Sequence, residues 1–218
     1  MASPVDPVVL AMERNWEMID AALEGLDEAA MARQPTGECN SVAWILWHLT
    51  RVTDMFIHSR FRDSPQAWVS EGWHEKFGMP ADGEDRGVGW SAAQVAQWRP
   101  PAKEVQLAYY AALKDHTRDF LANITPEELE RKIVMGAVPE PRTVAVCLGQ
   151  MVWDTVPRRS DSLSPGLLPW HGLVPLDYLA AISPGVADAG PRCPTSGSPV
   201  RRSPERPACV PRTFRWPP

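Results

Sequence analysis

The sequence predicts an all-α protein, a four-helix bundle with an irregular Pro/Arg-rich C-terminal tail, and three observations carry that expectation. Apolar residues recur with the 3.6-residue period of a buried helix face in four long segments of residues 1–156, and no strands are needed to account for the rest. Cap residues and prolines punctuate those segments where helices start and stop. The composition then breaks. Residues 1–156 hold 14 Lys+Arg against 23 Asp+Glu, whereas residues 157–218 hold 8 Arg, no Lys and 4 acids, together with 13 of the 23 prolines. That second stretch lacks sustained periodicity and cannot bury enough apolar surface to offset chain entropy, so residues 157–218 are expected to be irregular or disordered.

The first helix is expected from Pro7 to Leu26, with Val8, Ala11, Met12, Trp16, Ile19 and Leu23 on one apolar face and Gly25 helping to end it. The second follows Asn40, a good N-cap, and its stripe through Ile45, His48, Val52 and Met55 continues to about Phe61. Trp44 and Val52 lie four residues either side of His48 and share its face, so the imidazole is expected to point into the bundle. Residues 62–90 form a long Gly/Trp-rich connection, a length associated with functional lids and mouths. Ser91 and Gln94 make a capping box for a short helix ending near Trp98. The third long helix starts at Pro101 and runs to about Asn123 with Val105, Ala108, Tyr109, Ala112 and Phe120 inward. In "TPEEL" the capping logic repeats, with Thr125 as cap, Pro126 first and Glu128 closing the box. The fourth long helix begins near Pro141, buries Val144, Cys147, Leu148, Met151 and Trp153, and halts at Pro157.

Several function classes are excluded by composition. The N-terminus has no basic region followed by an apolar run, and no uncharged apolar run reaches about 18 residues, so no membrane partner is expected and the protein reads as cytoplasmic. Cys39, Cys147, Cys193 and Cys209 show no C-x-x-C pairing, which argues against a zinc ribbon or a disulfide framework. The tail's arginines are scattered among prolines in an acidic protein, so no nucleic-acid partner is expected. Among the titratable residues, an inward histidine is ordinarily a hydrogen-bonded core residue, and spacing alone leaves His48 open between that role and a metal ligand. His116 lies on an apolar stripe and reads as core or a half-exposed edge, His74 as a residue of the bundle mouth, and Cys147 as a small buried thiol. His58, ten residues and about 1000° of rotation from His48, cannot share its site and is expected to be exposed.

The stretches "LDEAAMARQP", "CNSVAWILWHLTRVTDMFI" and "VCLGQMVWDTV" together resemble the DinB-like superfamily of bacterial four-helix-bundle proteins, over residues 5–156 and most specifically in the second helix. That resemblance implies a divalent-metal site, nickel or zinc, built from one histidine on the second helix and a pair four residues apart on the last. Some relatives are thiol-dependent transferases or isomerases that use mycothiol, bacillithiol or glutathione. His48 matches the second-helix ligand. Asp154 stands where the first member of the pair is usually histidine, and a carboxylate serves as a hard ligand. The second member falls on Arg158, a cation with no lone pair to donate.

This departure coincides with the composition break, and a one-nucleotide shift reconciles the two. Where relatives continue with a stretch close to "AHGGQIAYLRGFYRGMGW", this chain reads "PRRSDSLSPGLLPWHGL". Pro157-Arg158 encoded CCA-CGG contains CAC, a histidine, and Trp170 to Leu173 contain Gly-Met-Gly-Trp in the shifted frame. Residues from about 157 onward are therefore expected to be an out-of-frame translation. Two functions are in view. One is a DinB-like metal-dependent enzyme of the thiol-dependent transferase or hydrolase type, acting on a small-molecule or thiol substrate. In it His48 and Asp154 are ligands, and the metal lowers the pKa of a bound thiol or water. The alternative is a non-catalytic helical binding or homodimerising module without metal.

Overall fold

The computed structural model describes residues 3–34, 39–135 and 138–155. The expectations for 157–218, Arg158 among them, lie outside the described residues. Helices α1 (Asp6–Leu23) and α2 (Glu28–Ala32) lead to α3 (Val42–Asp54), which continues without a break into a π-helix (Met55–Phe61). The 62–90 connection carries α4 (Ala67–Ser70) and α5 (Trp73–Lys76), and α6 (Ala92–Gln97) precedes the long α7 (Lys103–Asn123). After α8 (Pro126–Glu130), strands β1 (Lys132–Met135) and β2 (Val138–Thr143) lead into α9 (Val144–Thr155).

The bundle consists of α1, α3 with its π-helical extension, α7 and α9. Within it α3 packs on both α7 and α9, and α1 packs on α9. The helix starts follow the side-chain chemistry. Ser41, one residue later than expected, accepts from the Trp44 amide at 3.2 Å, and Ser91 with Gln94 completes a reciprocal capping box. At α8 Thr125 caps the Glu128 amide, but the Glu128 carboxylate turns to Arg131 and leaves the box half made. Between α8 and α9 the expected helix entry is instead an antiparallel hairpin pairing Lys132 with Thr143 and Met135 with Val138. Ile133, Val134 and Thr143 favour extended backbone, and both strands of a two-stranded sheet are edges, where Pro139 and Pro141 cost no interior ladder bond. Thr143 then accepts from the Val146 amide, and α9 starts at Val144 rather than near Pro141.

Two apolar cores result. One fills the bundle with Met12, Trp16, Leu46, Phe56, Leu148 and Met151 among its members, and the other joins Trp44 and Trp47 to Trp68, Trp73, Phe77 and Tyr109 beneath the 62–90 connection. Because α3 lies between them, every residue from Thr50 to His58 is buried. Two expectations of inward packing fail at the bundle's outside: Ala108 is exposed and Trp153 is 51% exposed.

The second core encloses an ion pair. Arg51 and Asp54, one turn apart on α3, have fully buried side chains 3.5 Å apart. The Arg51 guanidinium donates to the Gln66 side chain at 2.7 Å and to the carbonyls of Asp82, Gly83 and Asp85 between 2.9 and 3.3 Å, and it lies over the Trp68 ring at 4.4 Å. Asp54 accepts from the Ala67 and Trp68 amides at 2.9 and 2.8 Å and from the Tyr109 hydroxyl at 2.6 Å, so it caps α4 and ties α7 to α3. Both burial and the Asp54 charge raise the Tyr109 hydroxyl well above the usual tyrosine range, which keeps it a donor.

Removing one partner leaves the other charge buried without compensation. Asp54→Ala is expected to lower stability by about 3–5 kcal/mol in urea unfolding, while Arg14→Ala, which loses only the surface pair with Glu17, is expected to change it by less than about 1 kcal/mol.

Candidate functional site

His48 sits half-buried where α3 meets the end of the 62–90 connection. Its ring stacks on Trp44 with centroids 5.0 Å apart and planes 7° apart, and Nδ1 lies 2.6 Å from the Arg86 carbonyl. A carbonyl only accepts, so Nδ1 carries the proton. Fixing one imidazole nitrogen on a backbone carbonyl is how a protein orients the other for ligation. The carbonyl that does this is itself placed by the buried pair, since Arg51 holds the Asp85 carbonyl one residue earlier.

The turn after Arg86 is sterically defined. Gly87 has φ +78, and a Cβ there would meet Trp44 Cζ2 at 2.5 Å and Trp47 Cζ3 at 2.8 Å. Both rings are buried, and Trp47 meets Trp90 and Trp98 in tilted pairs with centroids 5.2 and 5.4 Å apart. The second-helix tryptophans are thus core, and Trp44 also forms the wall on which His48 rests.

Asp154 is half-buried in the last turn of α9. Between α1, α3, α7 and α9 lies a narrow cleft whose walls include Trp16, Leu49, Thr50, Thr53, Tyr110 and Thr155. Neither His48 nor Asp154 lines this cleft; their chain neighbours Leu49 and Thr155 do. The cleft's threonine hydroxyls are turned back on their own helices, Thr50 to the Leu46 carbonyl at 2.7 Å, Thr53 to Leu49 at 2.9 Å and Thr155 to Met151 at 2.9 Å. They are thus satisfied locally, whereas the buried Tyr110 hydroxyl on the same lining has no hydrogen-bond partner among the described residues and Lys114 adds a cation.

Among the described residues no group of three or more His, Cys, Asp or Glu side chains is arranged to hold a metal ion. A catalytic site of this kind needs three protein ligands, and one histidine with one carboxylate does not meet that need. The described residues by themselves do not supply a site for a nickel or zinc ion.

The other expected residues divide. Cys147 is buried, and burial pushes its thiol up, which disfavours the thiolate a nucleophile requires. His74 is half-buried, with Nδ1 donating to the Trp68 carbonyl at 2.9 Å, a structural role within the connection. His58 corrects its expectation: it is only 9% exposed, with Nε2 3.0 Å from Nδ1 of half-buried His116. Rotation away from His48 does not place a side chain in solvent when the helix is enclosed on all sides. Arg51 and Asp54 escaped sequence reasoning, although the signal was present: both lie on the helix face that carries Trp47, where charge is unexpected.

With this geometry in place, comparison with known proteins adds a family. The DinB superfamily matches residues 11–156. A crystal structure described as the conserved protein of locus from Enterococcus faecalis is 26% identical with a TM-score of 0.64, covering 72% of this chain and 91% of that one. No curated protein matches the chain. No helix among the described residues is long and apolar enough to cross a membrane.

Gly87→Ala is expected to cost about 1–3 kcal/mol by forcing a methyl group between two packed indoles. It should also free the His48 Nδ1 proton to exchange rapidly, read by imidazole NMR, because the Arg86 carbonyl moves with residue 87.

Proposed function

The chain belongs to the DinB superfamily, and from that premise we propose that it carries the scaffold of a metal-dependent enzyme of the thiol-dependent transferase or hydrolase type, with its metal site incomplete in this polypeptide. The observation that carries the reading is His48, whose Nδ1 proton is committed to the Arg86 carbonyl, which supports Nε2 as the nitrogen that would ligate. Asp154, half-buried in the last turn of α9, is the second ligand of this reading through the family resemblance. The family match and the break in composition both fall at residue 156, one position before the stretch that reads as out of frame. The nickel- or zinc-binding chemistry, the small-molecule or thiol substrate and the cytoplasmic setting all belong to this proposal.

A second reading is a binding or homodimerising module that has kept the bundle and lost the metal. Val146 and Trp153, seven residues apart and so on one face of α9, are 56% and 51% exposed, which favours a surface that meets a partner.

Metal content separates the two. Protein purified without an affinity tag is expected to hold well under one equivalent of nickel or zinc, and His48→Ala is expected to leave that content unchanged. With the frame restored from codon 157, or with Arg158→His as the minimal change, calorimetry on the metal-free chain is expected to show about one equivalent bound. His48→Ala in that background should abolish it. If neither repaired chain binds either ion, the metalloprotein reading fails and the binding module is the better account.

A further inference from the structure

A line of polar groups runs from the buried Asp54 to the surface at Glu71, on a different part of the molecule from His48, and the metal reading makes no use of it. His58 Nε2 lies 3.8 Å from Asp54 Oδ1 and 3.0 Å from His116 Nδ1, while His116 Nε2 lies 3.3 Å from Glu71 Oε1. On the other side of His58 the Ser64 hydroxyl is 3.5 Å from Nδ1. His58 stands on the π-helix, a rare conformation that recurs at functional sites, and Ser64 and Glu71 belong to the 62–90 connection.

One assignment of protons suits the ends of the line. Facing the Glu71 carboxylate at 3.3 Å, His116 Nε2 carries the proton and leaves Nδ1 as an acceptor for His58 Nε2–H. His58 Nδ1 then faces the Ser64 hydroxyl, which also reaches the His58 carbonyl.

One proton can be added without losing a bond. It enters at His58 Nδ1, the proton on His58 Nε2 passes to His116 Nδ1, and the link between the rings survives with its direction reversed. The positive charge then rests on His116, beside Glu71 and nearer solvent, and His58 remains neutral. A second proton has no such place. Both rings would then be donors with N–H groups opposed across 3.0 Å, and both would be cations.

The surrounding charges sharpen this difference. His58 is faced by Asp54 from α3, by His116 from α7, and by Arg62 and Glu71 from the connection. Arg62 is held by Asp119 of α7 at 2.5 Å, and Asp54 is already engaged by Arg51, two amides and Tyr109. From the hairpin side Arg131 donates to the Phe61 carbonyl at the far end of the π-helix and pairs with Glu128, and Arg60 lies 3.9 Å from Glu84.

We propose that Asp54, His58, His116 and Glu71 form a one-proton latch on the 62–90 connection, closed when the imidazole pair holds no added proton or one, and released when it receives a second. Release acts on the segment that carries Ser64 and Glu71 and that ends at the Arg86 carbonyl over His48. The direction of the pH effect follows from linkage. Burial lowers the tendency of folded His58 to protonate, so below about pH 6.5 the opened chain binds a proton that the closed one refuses. Closed-state stability is complete above that range and declines as the pH falls through it.

Hydrogen exchange of the Ala67 and Trp68 amides, which donate to Asp54, reads the latch in the full-length protein. After correction for intrinsic rates, their exchange is expected to accelerate about tenfold between about pH 7.5 and about pH 5. His58→Gln is expected to remove that pH dependence, with His116→Gln as the alternative if the first variant does not fold, since it breaks the same pair. In imidazole NMR titrations the first protonation should shift both rings together, and Glu71→Gln should move that step to lower pH by removing the carboxylate beside the cation. Exchange at Ala67 and Trp68 that stays flat while both rings titrate would overturn the latch. So would two rings that titrate independently, each unaffected by replacement of the other.

Discussion

The guanidinium of Arg51 and the carboxylate of Asp54, two opposite charges without solvent exposure on consecutive turns of α3, are the constraint on which the site side of the molecule depends. Neither charge could be buried by the other alone, because an ion pair at 3.5 Å leaves most donors and lone pairs of both groups unused. The 62–90 connection completes them. Its carbonyls at Asp82, Gly83 and Asp85 take the Arg51 donors, and its amides at Ala67 and Trp68 take the Asp54 oxygens. A segment with little regular structure thereby becomes a packed layer with Trp68 and Phe77 inside it.

That arrangement explains why α3 is buried all round. On one side it meets α7 and α9, and on the other it meets the connection, so no face remains for solvent between Thr50 and His58. Polar residues on such a helix must be satisfied internally. Asp54 and His58 each have partners from other elements, and His48, at the boundary, takes the Arg86 carbonyl. His48 and the His58–His116 pair therefore lie towards two ends of one continuous helix joined through one connection.

The four long helices were legible because each buries a single stripe against the bundle, and a stripe leaves a 3.6-residue signature. The Ser91 and Gln94 cap was legible for the same local reason, since it involves groups three residues apart. His48 and Asp154 were reached through resemblance, and what the structure adds for His48 is its tautomer, which depends on a carbonyl 38 residues away. His58 was misread because rotation along a helix reports which side chains share a face and carries no information about what covers the other faces. The hairpin was missed because Pro139 and Pro141 argue against an interior strand, while a two-stranded sheet is all edge.

The sequence by itself determined the helical class, the order and approximate limits of the long helices, the inward face of His48 and the break in composition at residue 157. All of these follow from the periodicity and composition of contiguous segments. Only the tertiary structure decided that the 62–90 connection is packed through Arg51 and Asp54, that His58 and His116 share a hydrogen bond, and that the Arg86 carbonyl sets the proton on His48. Each of those is a contact between residues more than ten positions apart, and its energy depends on the exclusion of water. Exclusion of water is a property of the assembled layers, and no single segment of the chain contains it.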